Sequence, residues 1–216
     1  MKNYKEIEQR STEWHEIRWA KIGGILSKGL FVKSDTLFID ILSQKFEEFE
    51  LEENTFSSNA MERGVEYEPF AIVYLEEYYQ IKFEKSGWLQ SEENELLGIS
   101  PDGIGECETF ACEVKCFGRK KHMEVLLSQE VPNDNIFQLI HYFVVNPKLE
   151  KLYFMAFRPE AGKHFMKIFT PETVVNIGTA AKPKIYSIAE CVLIAKAEAA
   201  VLLKLINAEI SKLKEF

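Results

Sequence analysis

Cysteine is scarce in this 216-residue sequence: there are four, and no two stand in a Cys-x-x-Cys pair. That spacing gives no paired-cysteine signature. It leaves Cys107, Cys112, Cys116 and Cys191 as reduced thiols, at least two of them pointing from a strand into the core. Histidine is equally sparse, and His141 has no Glu-x-x-His partner, so it reads as structural. No apolar run approaches the 18 residues of a membrane span, and MKNYKEIEQR lacks the apolar core of a signal peptide. The expectation is a cytoplasmic protein with no membrane contact. There is no internal repeat, no low-complexity tract, no Walker-A loop and no glycine-rich turn after a strand, which leaves ATP and NAD unindicated.

Positive charge is also in deficit. Lys and Arg total 26 against 34 Asp and Glu, a net charge of −8. The sign opposes nucleic-acid binding, because cation–phosphate contacts supply most non-specific affinity. Distribution weakens the objection. Acid is concentrated in Glu47 to Glu53 and Glu92 to Glu95, whereas Arg18, Lys21, Lys28 and Lys33, and then Arg119, Lys120 and Lys121, form local basic clusters.

The length and the ordinary apolar fraction suit one α/β domain, residues 1–216. Its informative stretch is LLGISPDGIGECETFACEVKC, Leu96 to Cys116, which reads as two short strands and a glycine-containing turn. Alternation in the second strand sends Glu113 and Lys115 to one face and Cys112, Val114 and Cys116 to the other. Pro101 and Gly103 shape a turn that presents Asp102 at a strand end, where a hairpin would return it beside Glu113. Two adjacent carboxylates repel unless a cation lies between them, and hard oxygen ligands suit Mg²⁺ or Mn²⁺. Lys115 could then orient or deprotonate an attacking water. The competing reading is a salt-bridged surface strand. Against it, Glu113 to Lys115 is the only acidic-x-Lys triplet in the chain, and charged pairs inside apolar strands need a reason.

Around this stretch the pattern predicts a first helix over TEWHEIRWAKIGG, capped at Ser11 or Thr12 and ended by Gly23-Gly24, with Trp14 and Ile17 buried. A second helix starts at Ser34, and a long third runs from Ser58 to Tyr79. Ile81 to Gln90 alternates as a strand. RKKHMEVLLSQ reads as a helix with Met123, Leu126 and Leu127 inward, and DNIFQLIHYFVVNP as another, with Gln138 and Tyr142 on one face. Paired strands follow over Leu149 to Arg158 and His164 to Phe169. Thr170-Pro171 then opens a short helix, and Ser187-x-x-Glu190 is a capping box for a terminal helix that runs to about Lys214.

Pro101-Asp102 and Glu113-Val114-Lys115 resemble the signature of the PD-(D/E)XK nuclease superfamily, and the chain looks like its lambda-type phage recombination exonucleases. Three further segments follow in that family's order: Trp14-His15-x-x-Arg18, Gly64-x-x-x-Glu68, and the helix bearing Gln138. The resemblance implies a restriction-endonuclease-like core, a central mixed sheet flanked by helices. It implies a Mg²⁺-dependent enzyme, with Mn²⁺ as substitute, that degrades the 5′-ended strand of duplex DNA and leaves 3′ single strands for recombination. Asp102, Glu113, the Val114 carbonyl and Glu68 would hold the metal, and Gln138 would position Lys115 or the water. Arg18 and Ser100 would receive a 5′-phosphate, Arg119, Lys120 and Lys121 would touch phosphates, and Met61 would be an apolar wedge at the duplex end. Partners implied are DNA ends, two further copies in a homotrimer and a single-strand annealing protein, in a bacterial host if phage-encoded.

Alternatives stay open at this level. Arg18 could be an exposed arginine on an amphipathic helix, Glu68 a solvated acid, Met61 a buried methionine and Gln138 a buried amide bonding backbone. The small hydroxyl residue that usually follows the arginine in this family is absent from Ile22-Gly23-Gly24-Ile25, with Ser27 as a substitute. A nicking or structure-specific endonuclease on the same core, or a catalytically silent DNA-end-binding module, would carry many of the same residues.

Overall fold

A computed structural model describes residues 1–32, 35–51, 59–179 and 181–214, with the side chains of residues 59–61 outside that description. The start of the second helix at Ser34, Lys33 and the side chain of Met61 therefore lie outside the described residues.

The centre of the molecule is a mixed sheet of β4 (Gly103–Ile104), β5 (Phe110–Lys115), β6 (Lys151–Ala156) and β7 (Phe165–Phe169), in that order. β5 pairs antiparallel with β4 and parallel with β6, so Glu113 lies opposite Phe154 and Lys115 opposite Ala156. A parallel pair needs a long crossover, supplied here by α4 (Arg119–Ser128) and α5 (Asn133–Val145). A second, antiparallel sheet joins β1 (Lys2–Tyr4), β2 (Trp88–Gln90) and β3 (Gly98–Ile99).

Each face of the central sheet is covered. On one side Cys112, Val114, Tyr153 and Met155 pack against Ala71 and Leu75 of α3 (Asn59–Tyr79). On the other, Ala111, Leu152 and Phe154 join the larger core with α5, α2 (Asp35–Phe46) and α6 (Ile188–Leu213). The alternation read from the sequence is thus correct, but the chemical face is not open: Glu113 is only 1% exposed beneath α5. The α6 capping box is formed, with Ser187 accepting from the Glu190 N–H and the Glu190 carboxylate accepting from the Ser187 N–H. At about 1.5 Å per residue α6 is about 39 Å long. The expected mixed sheet, flanking helices and long terminal helix are all present. Among the described residues, no helix is long and apolar enough to cross a membrane.

Several elements differ from expectation. The first helix, α1 (Thr12–Arg18), stops before the glycines: Trp19 leaves helical geometry with ψ of 135°, and Ala20 follows in a left-handed backbone with φ of 54°. The helix expected at Thr170-Pro171 is a turn leading into β8 (Val174–Asn176), which pairs with β9 (Ile185–Ser187). The β-branched pair Val174-Val175 favours the extended state. In α4 the buried residues are His122 and Val125, while Met123 and Leu127 face outward, 50% and 79% exposed. Leu193, Val201, Leu205 and Leu213 of α6 are likewise exposed, while Ile188, Cys191, Ala195, Ala199 and Ile206 form its buried side. Gly64 has no close neighbour: among the described residues, nothing lies within 4 Å of a Cβ built there.

Candidate active site

The site forms where the chain leaves one sheet and enters the other. After β3, Ser100-Pro101-Asp102 bridges to β4, and the Gln9 side chain pins this bridge by donating to the Pro101 carbonyl at 2.8 Å. Gly103 then pairs with Cys112, which sets Asp102 beside the middle of β5. Its Oδ2 accepts the Val114 N–H at 2.6 Å. The hairpin expected to return Asp102 to Glu113 is therefore β4–β5, shorter than the apolar run Leu96 to Ile99 suggests.

Glu113 is the hub. Its Oε1 accepts from Gln138 Nε2 at 2.8 Å and meets Lys115 Nζ at 2.5 Å, while its Oε2 accepts from the Tyr142 hydroxyl at 2.6 Å. The hydroxyl also lies 3.3 Å from the Cys112 carbonyl, and the shorter, charge-assisted bond takes its single proton. Gln138 thus acts on Glu113, where the resemblance placed it against Lys115 or a water. Tyr142 carried no assigned role, although its four-residue spacing from Gln138 was visible.

Glu68 comes from α3, immediately before Pro69, which removes one intrahelical bond at that point. Its carboxylate lies 3.8 Å from Arg10. Burial raises its pKa, Arg10 opposes that and Glu113 adds to it. Half-buried Asp102 is pushed well above the usual carboxylate range by desolvation, then by Glu113 and Glu68. Burial pulls the Lys115 ammonium down, but Glu113 and Asp102 outweigh it, and it stands above its ordinary value. Asp102, Glu113 and Glu68 therefore influence one another electrostatically, with the Lys115 ammonium held against Glu113.

Among the described residues, no three His, Cys, Asp or Glu side chains stand close enough to enclose an ion unaided. Glu113 is engaged at both oxygens and Asp102 at Oδ2, and Glu68 turns toward Arg10. By type, however, carboxylates with surplus negative charge beside a strand backbone fit a hard divalent cation that completes its shell with water and carbonyl oxygen.

A separate cationic pocket of about 240 Å³ lies at the C-terminal end of α1, lined by Arg18, Lys21, Trp19, Trp88 and Gly23 among others. The Arg18 guanidinium stacks 3.7 Å over the Trp14 ring, and burial lowers its pKa to about 10, so it is charged at neutral pH. The Trp14 indole N–H donates to Ser100 Oγ at 2.8 Å and to the Gly87 carbonyl at 3.0 Å. Arg18 and Ser100 are thus joined through one tryptophan, and Ser100 keeps its own proton to donate. Ser27 does not substitute for the missing hydroxyl residue: it is fully buried and donates to the Gly24 carbonyl at 2.6 Å.

The loop Ile22-Gly23-Gly24 connects this pocket to the carboxylates. A Cβ on Gly23 would lie 3.9 Å from Arg18 Nη2, whereas one on Gly24 would come within 2.7 Å of Gln138 Cγ. His141 Nε2 lies 2.9 Å from the Ile22 carbonyl and 3.0 Å from that of Gly98, which requires the proton on Nε2 and makes it a clamp on the loop. Arg119 and Lys120 line a different groove, with Arg63 and Arg158, and Lys121 sits 5.9 Å over the Phe117 ring.

Comparison with known proteins agrees with this architecture. No curated protein sequence matches the chain. Among solved structures, the alkaline exonuclease LHK-Exo from Laribacter hongkongensis superposes with a TM-score of 0.72 at 20% identity, covering 95% of this chain and 97% of that one. A complex of LHK-Exo with dAMP gives a TM-score of 0.73 at 19% identity, with the same coverage. At such identities the likeness is one of fold. The family model described as a YqaJ-like viral recombinase domain matches residues 13–148, which contain Arg18, the three acids, Lys115 and Gln138, and the chain belongs to that family.

Proposed function

We propose that this chain is a Mg²⁺-dependent 5′-to-3′ exonuclease that removes one strand of linear duplex DNA and leaves 3′ single strands for recombination. The observation that carries the reading is the buried Glu113 carboxylate, gripped by Lys115, Gln138 and Tyr142 beside Asp102, with the stack of Arg18 on Trp14 a loop away. Membership of a viral recombinase family and the fold shared with an alkaline exonuclease support a nuclease role in recombination.

Asp102, Glu113 and the Val114 carbonyl would hold the metal, with Glu68 acting through a water. A divalent ion there supplies charge stabilisation at the phosphoryl oxygens and acidifies a bound water. Lys115, charged and held by Glu113, orients the attacking water and stabilises charge developing on phosphate oxygen. Gln138 and Tyr142 keep Glu113 from rotating. Arg18, always protonated in the working range, and the Ser100 hydroxyl would seat a terminal 5′-phosphate and so register the scissile bond. A homotrimer and a single-strand annealing partner belong to the same proposal.

The test is digestion of linear duplex labelled separately at the 5′ and 3′ ends, with and without a 5′-phosphate, alongside a covalently closed circle. Loss of the 5′ label first, faster with 5′-phosphate and with the circle intact, is expected. Equal attack from 3′ ends rejects the polarity, and cutting of the circle favours an endonuclease. A protein inert with both Mg²⁺ and Mn²⁺ is no nuclease. Lys115→Ala should abolish digestion while DNA binding persists.

A further inference from the structure

A groove at the end of the central sheet takes no part in the site just described. It has a volume of about 730 Å³ and draws a cation from each of three elements at the end of the central sheet: Arg63 from α3, Arg119 and Lys120 from the start of α4, and Arg158 from the segment after β6. Among the described residues Glu124 is the only acid lining it, although the whole chain carries a net charge of −8. The Nε of Arg63 is buried with no hydrogen-bond partner among the described residues. Arg158 is held in place, its guanidinium donating to the Phe117 carbonyl at 3.4 Å with Glu160 at 3.6 Å.

Between these cations stand Met123 and Leu127, the α4 side chains that helical spacing predicts to be buried and that are 50% and 79% exposed. An apolar pair set among arginines suits neither a metal ion nor a duplex backbone, whose phosphates offer nothing for the apolar groups to cover. A single strand offers both components, phosphates for the cations and unpaired base faces for the apolar floor. The groove also adjoins the site: α4 begins just after the Cys116-Phe117-Gly118 turn that follows Lys115, and Ala156, shortly before Arg158, pairs with Lys115.

We infer that this groove binds single-stranded DNA, holding an unpaired strand next to the carboxylates independently of them. The idea rests on the exonuclease reading for its purpose, since that reaction generates single strands, but its test does not require catalysis. Fluorescence anisotropy in EDTA would compare labelled oligo(dT) with a blunt hairpin duplex for wild type, Met123→Glu/Leu127→Glu and Lys120→Gln. The double variant should lose at least tenfold in oligo(dT) affinity and keep duplex affinity within twofold. Lys120→Gln should lower the slope of log affinity against log salt for oligo(dT) by about 0.7, the loss of one single-strand phosphate contact. Both substituted side chains in the double variant are at least half exposed, so an unchanged unfolding midpoint is expected and checks the fold. Unchanged oligo(dT) affinity in the double variant overturns the inference, and so does an equal loss for duplex, which would make the groove a duplex surface. A wild type that digests nothing yet binds oligo(dT) here refutes the exonuclease reading and leaves this one standing.

Discussion

Tyr142→Phe removes one oxygen atom and tests the logic of the Glu113 hub. Phenylalanine fills nearly the same volume, so no cavity opens, and the change isolates the hydroxyl that donates to Glu113 Oε2 at 2.6 Å. Oε1 would keep both Gln138 and Lys115, but among the described residues Oε2 has no second donor. A hydrogen bond to a charged acceptor contributes about 1.5–3 kcal/mol, and Glu113 is too deeply buried for bulk water to replace it. The variant should therefore lose about 1.5–3 kcal/mol of stability, a shift of about 1 M in urea midpoint for a slope of about 2 kcal/mol/M. Because the freed carboxylate can rotate, the rate of duplex digestion should fall by about 10–100-fold, the usual effect of losing a residue that orients a ligand. Gln138→Leu should cost less, since Lys115 still occupies Oε1. The decisive measurement is a cycle with Glu113→Gln: once the acceptor is neutral, the stability penalty of Tyr142→Phe should shrink by about half or more. An undiminished penalty in that background, or a Tyr142→Phe protein as stable as wild type, would refute the reasoning.

Gly24→Ala would bring a methyl group within 2.7 Å of Gln138 Cγ, so the Gln138 amide should move off Glu113; a drop in digestion rate larger than the stability change, with oligonucleotide binding retained, is expected from steady-state assays. His141 is buried with its pKa lowered to about 4, so the unfolded chain binds the extra proton first, and the stability that neutral His141 contributes is full above about pH 6.5 and lost as pH falls toward 4. Between pH 7.5 and pH 5 this amounts to about 2 kcal/mol. It is read as the difference in urea midpoint between wild type and His141→Gln, because raised carboxyls such as Asp102 act with the opposite sign. Gly64→Ala, with open space around its Cβ, should stabilise α3 by up to about 1 kcal/mol in thermal unfolding; if duplex affinity falls with it, DNA approaches that backbone.

Much of β5 could be read locally. Two-residue alternation places Glu113 and Lys115 together whatever the rest of the chain does, and four-residue spacing aligns Gln138 with Tyr142 in any helix. The capping box at Ser187 and the length of α6 are equally local. The β8–β9 hairpin was missed because three-residue strands leave too short a pattern to detect. Met123 and Leu127 were misplaced because spacing tells which residues share a helix face, not which face is covered.

What the sequence by itself determined, then, is local placement: Asp102 at a turn, and Glu113 and Lys115 on one side of a strand. These follow from backbone geometry within a few residues. Tertiary structure alone decided that Trp14 ties Arg18 to Ser100, that Gly24 packs on Gln138, that Tyr142 closes the last free oxygen of Glu113, and that Arg63 and Arg158 meet α4 in a groove. Each of those joins residues far apart in the chain, and their meeting depends on how sheets and helices pack, which no local periodicity encodes.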